Sequence, residues 1–225
     1  MISKGREILE EILAFLYPPR CPVCGAYLEE RGQWCAACLS EVAHVQKLHL
    51  PSRAAKVLEG VWALGHYRSG LRDLIRGLKY SGKKGNLVSL RIFLDSCEDV
   101  TSLFPRGIVA TPVPLHPSRE KKRGFNQAEL IFKDWLAERR IPMETLLKRQ
   151  RETKAQYGLT AKERQDNMRD AFSPAEGASL RGRNILLVDD IMTTGATLLE
   201  CAAALKRGGA ARIYGLVLAS DRGLQ

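Results

Sequence analysis

Residues 185–197 read ILLVDDIMTTGAT, and this stretch decides the fold. Four apolar residues come first, two acids follow, and a loop rich in threonine and glycine then leads into a helical pattern over Thr197 to Arg207. A short apolar run of this kind is typical of a strand buried on both faces of a sheet. In open α/β sheets, ligands bind beyond the carboxyl ends of such strands. The stretch therefore predicts a buried strand, a ligand-binding loop and a helix.

The loop that follows this strand has the chemistry of a phosphate site. A helix N-terminus presents free N–H groups and a positive dipole end to an anion. Three threonine hydroxyls add donors, and Gly195 lets the backbone approach closely. Asp189 and Asp190 cannot bind phosphate, but they can accept hydrogen bonds from vicinal ribose hydroxyls or hold Mg²⁺ indirectly. Together these groups predict a ribose 5-phosphate site, with a 5-phosphate loop formed by Ile191, Met192, Thr193, Thr194, Gly195, Ala196 and Thr197.

Two other kinds of site also place acids after an apolar strand. The Walker-B strand of a nucleotide hydrolase needs an upstream GxxxxGK[ST] loop, and the sequence contains none. The acid pocket of a response regulator does not explain the hydroxyl-rich residues 193–197. The ribose 5-phosphate site is therefore the hypothesis that accounts for the whole stretch.

From about residue 60 the chain alternates between strand and helix patterns. Leu71, Leu74, Ile75 and Leu78 have helical spacing, and Ser81-Gly82 ends that helix. We expect strands over 61–67, 108–113, 146–147, 184–188 and 212–219, and further helices over 87–96, 127–138, 160–171 and 197–207. This alternation predicts an α/β fold with a mainly parallel sheet flanked by helices.

Four of the six cysteines form two CxxC pairs with ten residues between them, at Cys21, Cys24, Cys35 and Cys38. Two such turns complete the tetrahedral four-sulfur shell that Zn²⁺ accepts. Two alternatives are a pair of disulfides, which a reducing cytoplasm disfavours, and a redox pair, which lacks its usual βαβ context. Because a closed shell has no open position, we predict a structural Zn²⁺ that folds a segment too short to bury its own core.

The net charge of +10 is concentrated in two regions of the chain. Residues 62–85 hold six basic residues against one acid, and residues 119–154 hold eleven against six. Such regions favour an anionic partner, either the phosphates of a small molecule or a nucleic-acid backbone. A solvated basic surface is the alternative.

The apolar residues near the N-terminus have helical spacing and are interrupted by glutamates. This pattern predicts a short amphipathic helix that ends before Pro18-Pro19, rather than an export signal. The sequence has no apolar run of the roughly 18 to 20 residues that a membrane span needs. We therefore expect a cytoplasmic protein without a membrane span.

Residues 185–197 resemble the signature of type I phosphoribosyltransferases. Other motifs narrow the resemblance to the ComF family, whose members join a four-cysteine zinc segment to such a domain. The motifs in this sequence that carry the resemblance are the four cysteines, Tyr67-x-x-Gly70-x-Arg72, Leu78-Lys79-Tyr80, Pro112-Val-Pro-Leu115 through Arg119, Arg123-Gly-Phe-Asn-Gln127, Arg149, Thr153, Gln156, Arg164, Asn167 and Val188 to Thr197. The resemblance implies three parts: an N-terminal helix over 1–18, a four-cysteine zinc module and linker over 19–58, and a type I phosphoribosyltransferase-like domain over 59–225.

The resemblance also implies roles for particular residues. Asp189 and Asp190 would hold the ribose hydroxyls at the catalytic centre, and residues 191–197 would hold the 5-phosphate. Pyrophosphate would face a basic loop that contains Leu115, His116, Arg119, Lys122, Arg123, Asn126 and Gln127. In that loop Gly124 frees the turn, and Asn126 can cap the next helix. Arg149, Thr153, Lys154 and Gln156 are expected in a cover that excludes water.

Three functions are open on this basis. The first is transfer of the phosphoribosyl group of phosphoribosyl diphosphate, bound with Mg²⁺, to an acceptor that the sequence does not name. The second is binding of single-stranded DNA by the basic regions with Tyr67, Tyr80 and Phe125, because ComF relatives are linked to competence and DNA uptake. Competence or DNA-processing proteins would then be partners. The third is a regulator that binds phosphoribosyl diphosphate without turnover.

Overall fold

The computed structural model describes residues 17–97, 99–150 and 171–221. The helices are α1 (Ala36–Val42), α2 (Ser69–Ser81), α3 (Asn86–Ser96), α4 (Pro117–Arg123), α5 (Gln127–Glu138) and α6 (Ala196–Arg207). The strands are β1 (Ala43–Lys47), β2 (Gly60–His66), β3 (Val109–Pro112), β4 (Leu147–Arg149), β5 (Phe172–Pro174), β6 (Asn184–Met192) and β7 (Arg212–Ser220). In these described residues, no helix is long and apolar enough to cross a membrane.

Five strands form the central sheet in the order β1-β2-β7-β6-β3. Strands β2, β7, β6 and β3 run parallel, and β1 pairs antiparallel with β2 at one edge. Strands β4 and β5 form a separate antiparallel pair. The predicted α/β class, with a mainly parallel sheet flanked by helices, is confirmed.

Strand β6 lies inside the sheet, between β7 and β3, and both of its faces are covered. Leu186 and Val188 belong to the core on the side of α2, α3 and α5. Ile185 and Leu187 belong to the core on the side of α6 and the β4–β5 pair. Because side chains alternate along a strand, the continuous apolar run supplies both cores at once.

Most predicted elements match the observed ones closely. The predicted helix over 127–138 coincides with α5, and Gly82 ends α2 in the left-handed conformation with a φ of 59°. Strand β6 extends past the predicted end at Val188, because its register with β7 continues to the pair Met192–Ser220. The helix predicted over 160–171 and the N-terminal helix lie outside the described residues, apart from their last positions.

Two elements near the N-terminus were not predicted. Residues 36–47, which we assigned to the zinc module and linker, form α1 and the edge strand β1. Strand β1 has no fully buried side chain and therefore lacks an apolar signal in the sequence. The proposed division at residues 18 and 58 stays a prediction, although β1 belongs to the central sheet.

The four-cysteine module, the part of residues 19–58 that precedes β1, packs against α2 and α3. Trp34 is buried, donates an N–H bond of 2.9 Å to the Ser89 carbonyl and contacts the Phe93 ring at a centroid distance of 5.8 Å. Val23 lies against Gly70, where an added Cβ would meet the Val23 Cγ2 at 1.9 Å. The module is therefore seated on the first turn of α2, which needs a glycine there.

Candidate functional site

A cavity of about 390 Å³ opens at the carboxyl ends of β2, β3 and β6. This is the edge where open α/β sheets bind ligands. Its walls are formed by Tyr67, Lys79, Tyr80, Val113, Pro114, Leu115, Arg119, Arg123, Asn126, Gln127, Ala128, Arg149, Asp189, Asp190, Ile191, Thr193 and Thr197. The cavity therefore joins the acid pair, the threonine loop and the basic loop that the sequence predicts.

The acid pair forms the floor of the cavity at the end of β6. The Asp190 backbone N–H donates a hydrogen bond of 2.9 Å to Asp189 Oδ1. Lys79 reaches across from α2 and places its Nζ 2.7 Å from Asp190 Oδ2. The Lys79 and Asp190 side chains are only 17% and 7% exposed, so the ion pair is largely shielded from water.

The electrostatics of the floor distinguish the two acids. Burial and the neighbouring Asp190 raise the pKa of Asp189 to about 8, although Lys79 acts in the opposite direction. Burial alone would lower the pKa of Lys79, but the attraction of Asp190 and Asp189 outweighs burial and raises this pKa. Lys79 is therefore a cation at neutral pH, and an unliganded Asp189 holds its proton unusually strongly.

The basic wall is formed by α4 and the turn that follows it. His116 caps α4 by accepting a hydrogen bond of 3.3 Å from the Ser118 N–H, and Gly124 ends the helix with a φ of 82°. Arg119 and Arg123 are four residues apart on α4, so they lie on one helix face and both reach the cavity. Arg123 also donates to the Gln127 side-chain oxygen.

Asn126 connects the basic wall to the sheet. Its Oδ1 accepts from the N–H groups of Ala128 and Glu129 at 3.0 and 3.4 Å, which confirms the predicted cap of α5. Its Nδ2 donates to the Val113 carbonyl at 2.9 Å, directly after β3. A single buried amide thus fixes α5 to the end of the edge strand β3.

The threonine loop leads from β6 into α6. Gly195 stands at the N-cap with a φ of 81°, a conformation that favours glycine. Thr194 Oγ1 accepts from the Ala196 N–H at 3.4 Å. The N–H groups of the first turn of α6 therefore lie next to Thr193 and Thr197, which both line the cavity.

The cavity collects most of the residues that the sequence proposed for the site, but not all of them. Met192 is buried in the core, and Thr194, Gly195, Ala196, His116 and Lys122 do not line the cavity walls. Arg149 lines the cavity wall, and its assignment to a cover stays a prediction. Thr153, Lys154, Gln156, Arg164 and Asn167 lie outside the described residues. The functional roles of all these residues stay predictions.

Lys79 was not predicted as a site residue, although it belongs to the motif Leu78-Lys79-Tyr80 that carries the family resemblance. A signal was available, because Lys79 follows Ile75 by four residues and Leu71 by eight, and both are fully buried. Lys79 is therefore a charged residue at a position on the apolar face of α2. A lysine in such a position needs an acidic partner, and Asp190 supplies it.

The four predicted cysteines form one cluster. The Sγ atoms of Cys21, Cys24, Cys35 and Cys38 all lie within 4.8 Å of one another. The Cys24 and Cys35 sulfurs are 3.6 Å apart, close to the separation of about 3.8 Å that a tetrahedral shell with 2.3 Å Zn–S bonds requires. The cluster fits a zinc ion.

Backbone hydrogen bonds lower the pKa of Cys21 in this cluster, whereas burial and the other three cysteines raise the pKa of Cys38. Burial would raise the pKa of Cys21, but hydrogen bonds from the backbone of Cys35, Cys24 and Val23 lower it to about 6. Cys35 also caps α1, since its sulfur accepts from the Cys38 N–H at 3.5 Å. Donors of this kind favour the thiolate form that zinc binds.

Known protein families match both the four-cysteine module and the domain that contains the cavity. The double zinc ribbon domain family matches residues 12–53, and the phosphoribosyl transferase domain family matches residues 128–224. The first match covers all four cysteines and the second covers the acid pair and the threonine loop. The cluster and the ribbon match together support a structural zinc site.

Individual relatives extend over most of the chain. Competence protein F of Haemophilus influenzae is 32% identical over 206 residues, which cover 87% of this chain and 82% of that protein. The DNA utilization protein YhgH of Escherichia coli K12 is 30% identical over 206 residues, with coverages of 86% and 80%. Competence protein ComFC of Bacillus subtilis is 27% identical over 154 residues, with coverages of 68% and 60%. With a phosphoribosyltransferase domain behind a four-cysteine module and relatives of this kind, the chain belongs to the ComF family of competence protein F and ComFC.

Proposed function

We propose that the chain binds phosphoribosyl diphosphate with Mg²⁺ and transfers its phosphoribosyl group to an acceptor. One observation carries the proposal: a single cavity joins Asp189 and Asp190, the threonine loop, and the arginines of α4. A ribose with phosphates at both ends needs hydrogen-bond acceptors for its hydroxyl groups. It also needs, on either side of these acceptors, groups that donate hydrogen bonds to the phosphates. The match to the phosphoribosyl transferase domain family supports the same ligand.

Each wall of the cavity has a distinct task in this proposal. The N-terminus of α6 and the hydroxyls of Thr193 and Thr197 hold the 5-phosphate. Asp189 and Asp190 accept hydrogen bonds from the ribose hydroxyls. Arg119 and Arg123 face the diphosphate, whose remaining charge Mg²⁺ neutralises when it is bound.

The reaction requires little covalent chemistry from the protein. A lone pair of the acceptor forms a bond to C1′ of the ribose, and the C1′–O bond to the diphosphate breaks. The bonding electron pair leaves with pyrophosphate, next to Arg119 and Arg123. Positive charge develops on the ribose ring, so catalysis rests on positioning and on electrostatic stabilisation.

Calorimetric titration of the zinc-loaded protein with phosphoribosyl diphosphate and Mg²⁺ tests the binding step. We expect binding by the wild type and its loss in the Asp189→Asn/Asp190→Asn variant. Asp134→Asn, which removes an exposed carboxylate from α5, is the matched control and should bind like the wild type. A folded wild-type protein that does not bind would contradict the proposal. If the wild type binds the ligand, pyrophosphate release that depends on an added acceptor would establish transfer of the phosphoribosyl group.

The names of the relatives suggest a cellular setting for this site. We propose a role in competence or DNA utilization, since the matching proteins are named for these processes. Competence or DNA-processing proteins are the partners that this role implies.

A second candidate function is binding of single-stranded DNA at the mouth of the cavity. Tyr80 is 75% exposed, and the Arg123 guanidinium lies 6.0 Å from its ring centre. The Lys84 ammonium lies 5.6 Å from the Phe125 ring centre. Aromatic rings beside cations are the surface on which single-stranded bases stack while their phosphates are neutralised.

Fluorescence anisotropy with a labelled oligonucleotide tests this candidate. If Tyr80 stacks on a base, Tyr80→Ala should weaken binding at least about fivefold, and affinity should fall with rising salt. Tyr17→Ala is the control, because Tyr17 is similarly exposed at 69% but lies in the N-terminal segment. Equal effects of the two substitutions would rule out a stacking platform at Tyr80.

A further inference from the structure

Lys79 forms a buried ion pair that the proposed reaction does not by itself explain. Its Nζ lies 2.7 Å from Asp190 Oδ2, and the two side chains are 17% and 7% exposed. The neighbouring pair Arg72–Asp73 on the same helix is 46% and 68% exposed. The Lys79 side chain is thus largely buried next to the cavity, whereas the Arg72 side chain is exposed at the surface.

Stability is a poor reason for this arrangement. Removing two charges from water costs several kcal/mol per ion, and their attraction often does no more than offset this cost. An apolar side chain at position 79 would continue the buried stripe of α2 formed by Leu71, Ile75 and Leu78. A lysine at this position therefore indicates a role in ligand binding rather than in stabilising the core.

The geometry of the acid pair indicates the task. Asp189 and Asp190 both line the cavity, and the charge of Asp190 acts on the Asp189 carboxyl group. Lys79 forms its ion pair with Asp190 through Oδ2, so Oδ1 of the same carboxylate is the second acceptor. Tyr67 and Arg123 also interact electrostatically with Asp190, and Cys201 interacts with Asp189. The ammonium thus fixes the direction of one carboxylate and balances its charge.

We propose that Lys79 is a positioning residue of the phosphoribosyl site. It holds the Asp190 carboxylate so that the second oxygen accepts a hydrogen bond from one ribose hydroxyl. The inference rests on the proposed function and adds a ligand preference to it. The cavity binds a sugar phosphate that carries this hydroxyl more tightly than a deoxy analogue that lacks it. Lys79 acts through Asp190 and does not contact the phosphates.

The test compares ribose 5-phosphate with its 2-deoxy and 3-deoxy analogues and with inorganic pyrophosphate, by protein NMR titration. A hydrogen bond to a charged acceptor is worth about 1.5–3 kcal/mol, so the wild type should prefer ribose 5-phosphate to one analogue by about tenfold or more. Lys79→Met should reduce this preference to less than about threefold and leave pyrophosphate binding nearly unchanged. Lys79→Arg should restore part of the preference, because it keeps the charge.

Controls separate this role from others. Lys83→Met removes an exposed charge just beyond α2 and should keep the wild-type preference. If Lys79→Met does not fold, Lys79→Gln carries the same comparison. A Lys79 variant that weakens all sugar phosphates equally, or that loses pyrophosphate binding, would overturn the inference. A wild-type protein that binds none of these ligands would overturn the proposed function with it, whereas an unchanged preference in Lys79→Met overturns this inference alone.

Discussion

Asp189 shows how far the surroundings of one carboxyl group alter its chemistry. It is half-buried beside a second acid, and both burial and that neighbour raise its pKa to about 8. An aspartate in an unfolded chain ionises near a pKa of about 3.9. Between these two values the Asp189 side chain of the unliganded, folded protein keeps a proton that it has lost in the unfolded chain.

This difference predicts a pH dependence of stability. Because Asp189 holds this proton in the folded state, its contribution to the free energy of unfolding should fall as pH rises from about 4 to about 8, by at most about 1.4 kcal/mol per pH unit. Asp189→Asn cannot ionise, so its stability relative to the wild type should increase over this range. Denaturant unfolding at several pH values measures the difference. Asp134→Asn should follow the wild type, and parallel curves for Asp189→Asn would refute the assignment.

Gly195 is a second residue whose conformation matters for the site. With its φ of 81°, an alanine there would be strained by about 1–2 kcal/mol, and relaxation would displace the first turn of α6. Gly195→Ala should therefore lower both stability and the affinity for phosphoribosyl diphosphate. The matched control is Gly85→Ala at the N-cap of α3, where φ is −56° and an added Cβ meets nothing within 4 Å.

The expected result for Gly85→Ala is unchanged affinity and unchanged or slightly higher stability, by up to about 1 kcal/mol. Unfolding curves and calorimetry of both variants provide the comparison. If the two substitutions have the same effect, the left-handed turn has no special role in the loop.

Among the elements, α2 connects the two parts of the chain. Its first turn receives Val23 of the four-cysteine module at Gly70, and its last turn carries Lys79 and Tyr80 into the cavity. Glu41 strengthens this junction, because its carboxylate accepts from Ser69 Oγ at 2.5 Å and its carbonyl accepts from Arg68 at 2.7 Å. We therefore expect that a displacement of the module at the first turn alters the positions of Lys79 and Tyr80 at the last turn.

Gly70→Ala tests this connection. The added Cβ would lie 1.9 Å from Val23 Cγ2, so the module must shift away from α2. We expect a lower melting temperature, faster zinc loss to a chelator and weaker ligand binding. Val23→Ala removes both methyl groups from the contact, so the Gly70→Ala/Val23→Ala double variant should recover part of each property. Failure of the second change to restore anything would show that the contact with Val23 is not the cause.

At the scale of the whole molecule, the four-cysteine module is part of the main core. Trp34, from the segment between the two CxxC pairs, packs on Phe93 of α3 and is buried. Its position depends on the turns that the metal would close. Zinc is therefore expected to stabilise the whole chain and not only the module.

Cys24→Ser tests this expectation. Loss of one ligand should lower zinc content and melting temperature together, and it should shift the emission of Trp34 towards that of an exposed tryptophan. Cys97→Ser is the control, because Cys97 lies outside the cluster and burial raises the pKa of its thiol to about 12. Full stability of a zinc-free Cys24→Ser protein would contradict a structural role for the metal.

The sequence predicted what local patterns determine and missed what distant contacts determine. Strands buried on both faces, such as β6, have continuous apolar runs, and the turn at Gly82 and the cap at Asn126 follow from single residues. Strand β1 depends on pairing with β2 rather than on its own apolar residues. Likewise, the contact between Lys79 and Asp190 joins residues far apart in the chain, so only the fold reveals it.

The position of β6 between two parallel neighbours gives the cavity two walls of different dynamic character. The acid pair stands on a strand whose amides are hydrogen-bonded within the sheet and covered on both faces. Such amides exchange with solvent only in rare openings close to global unfolding, whereas a short surface helix such as α4, with no buried residue, opens far more often. In the proposed complex the sugar would thus dock against the more stable wall of the cavity, and the diphosphate would meet the wall that opens more often.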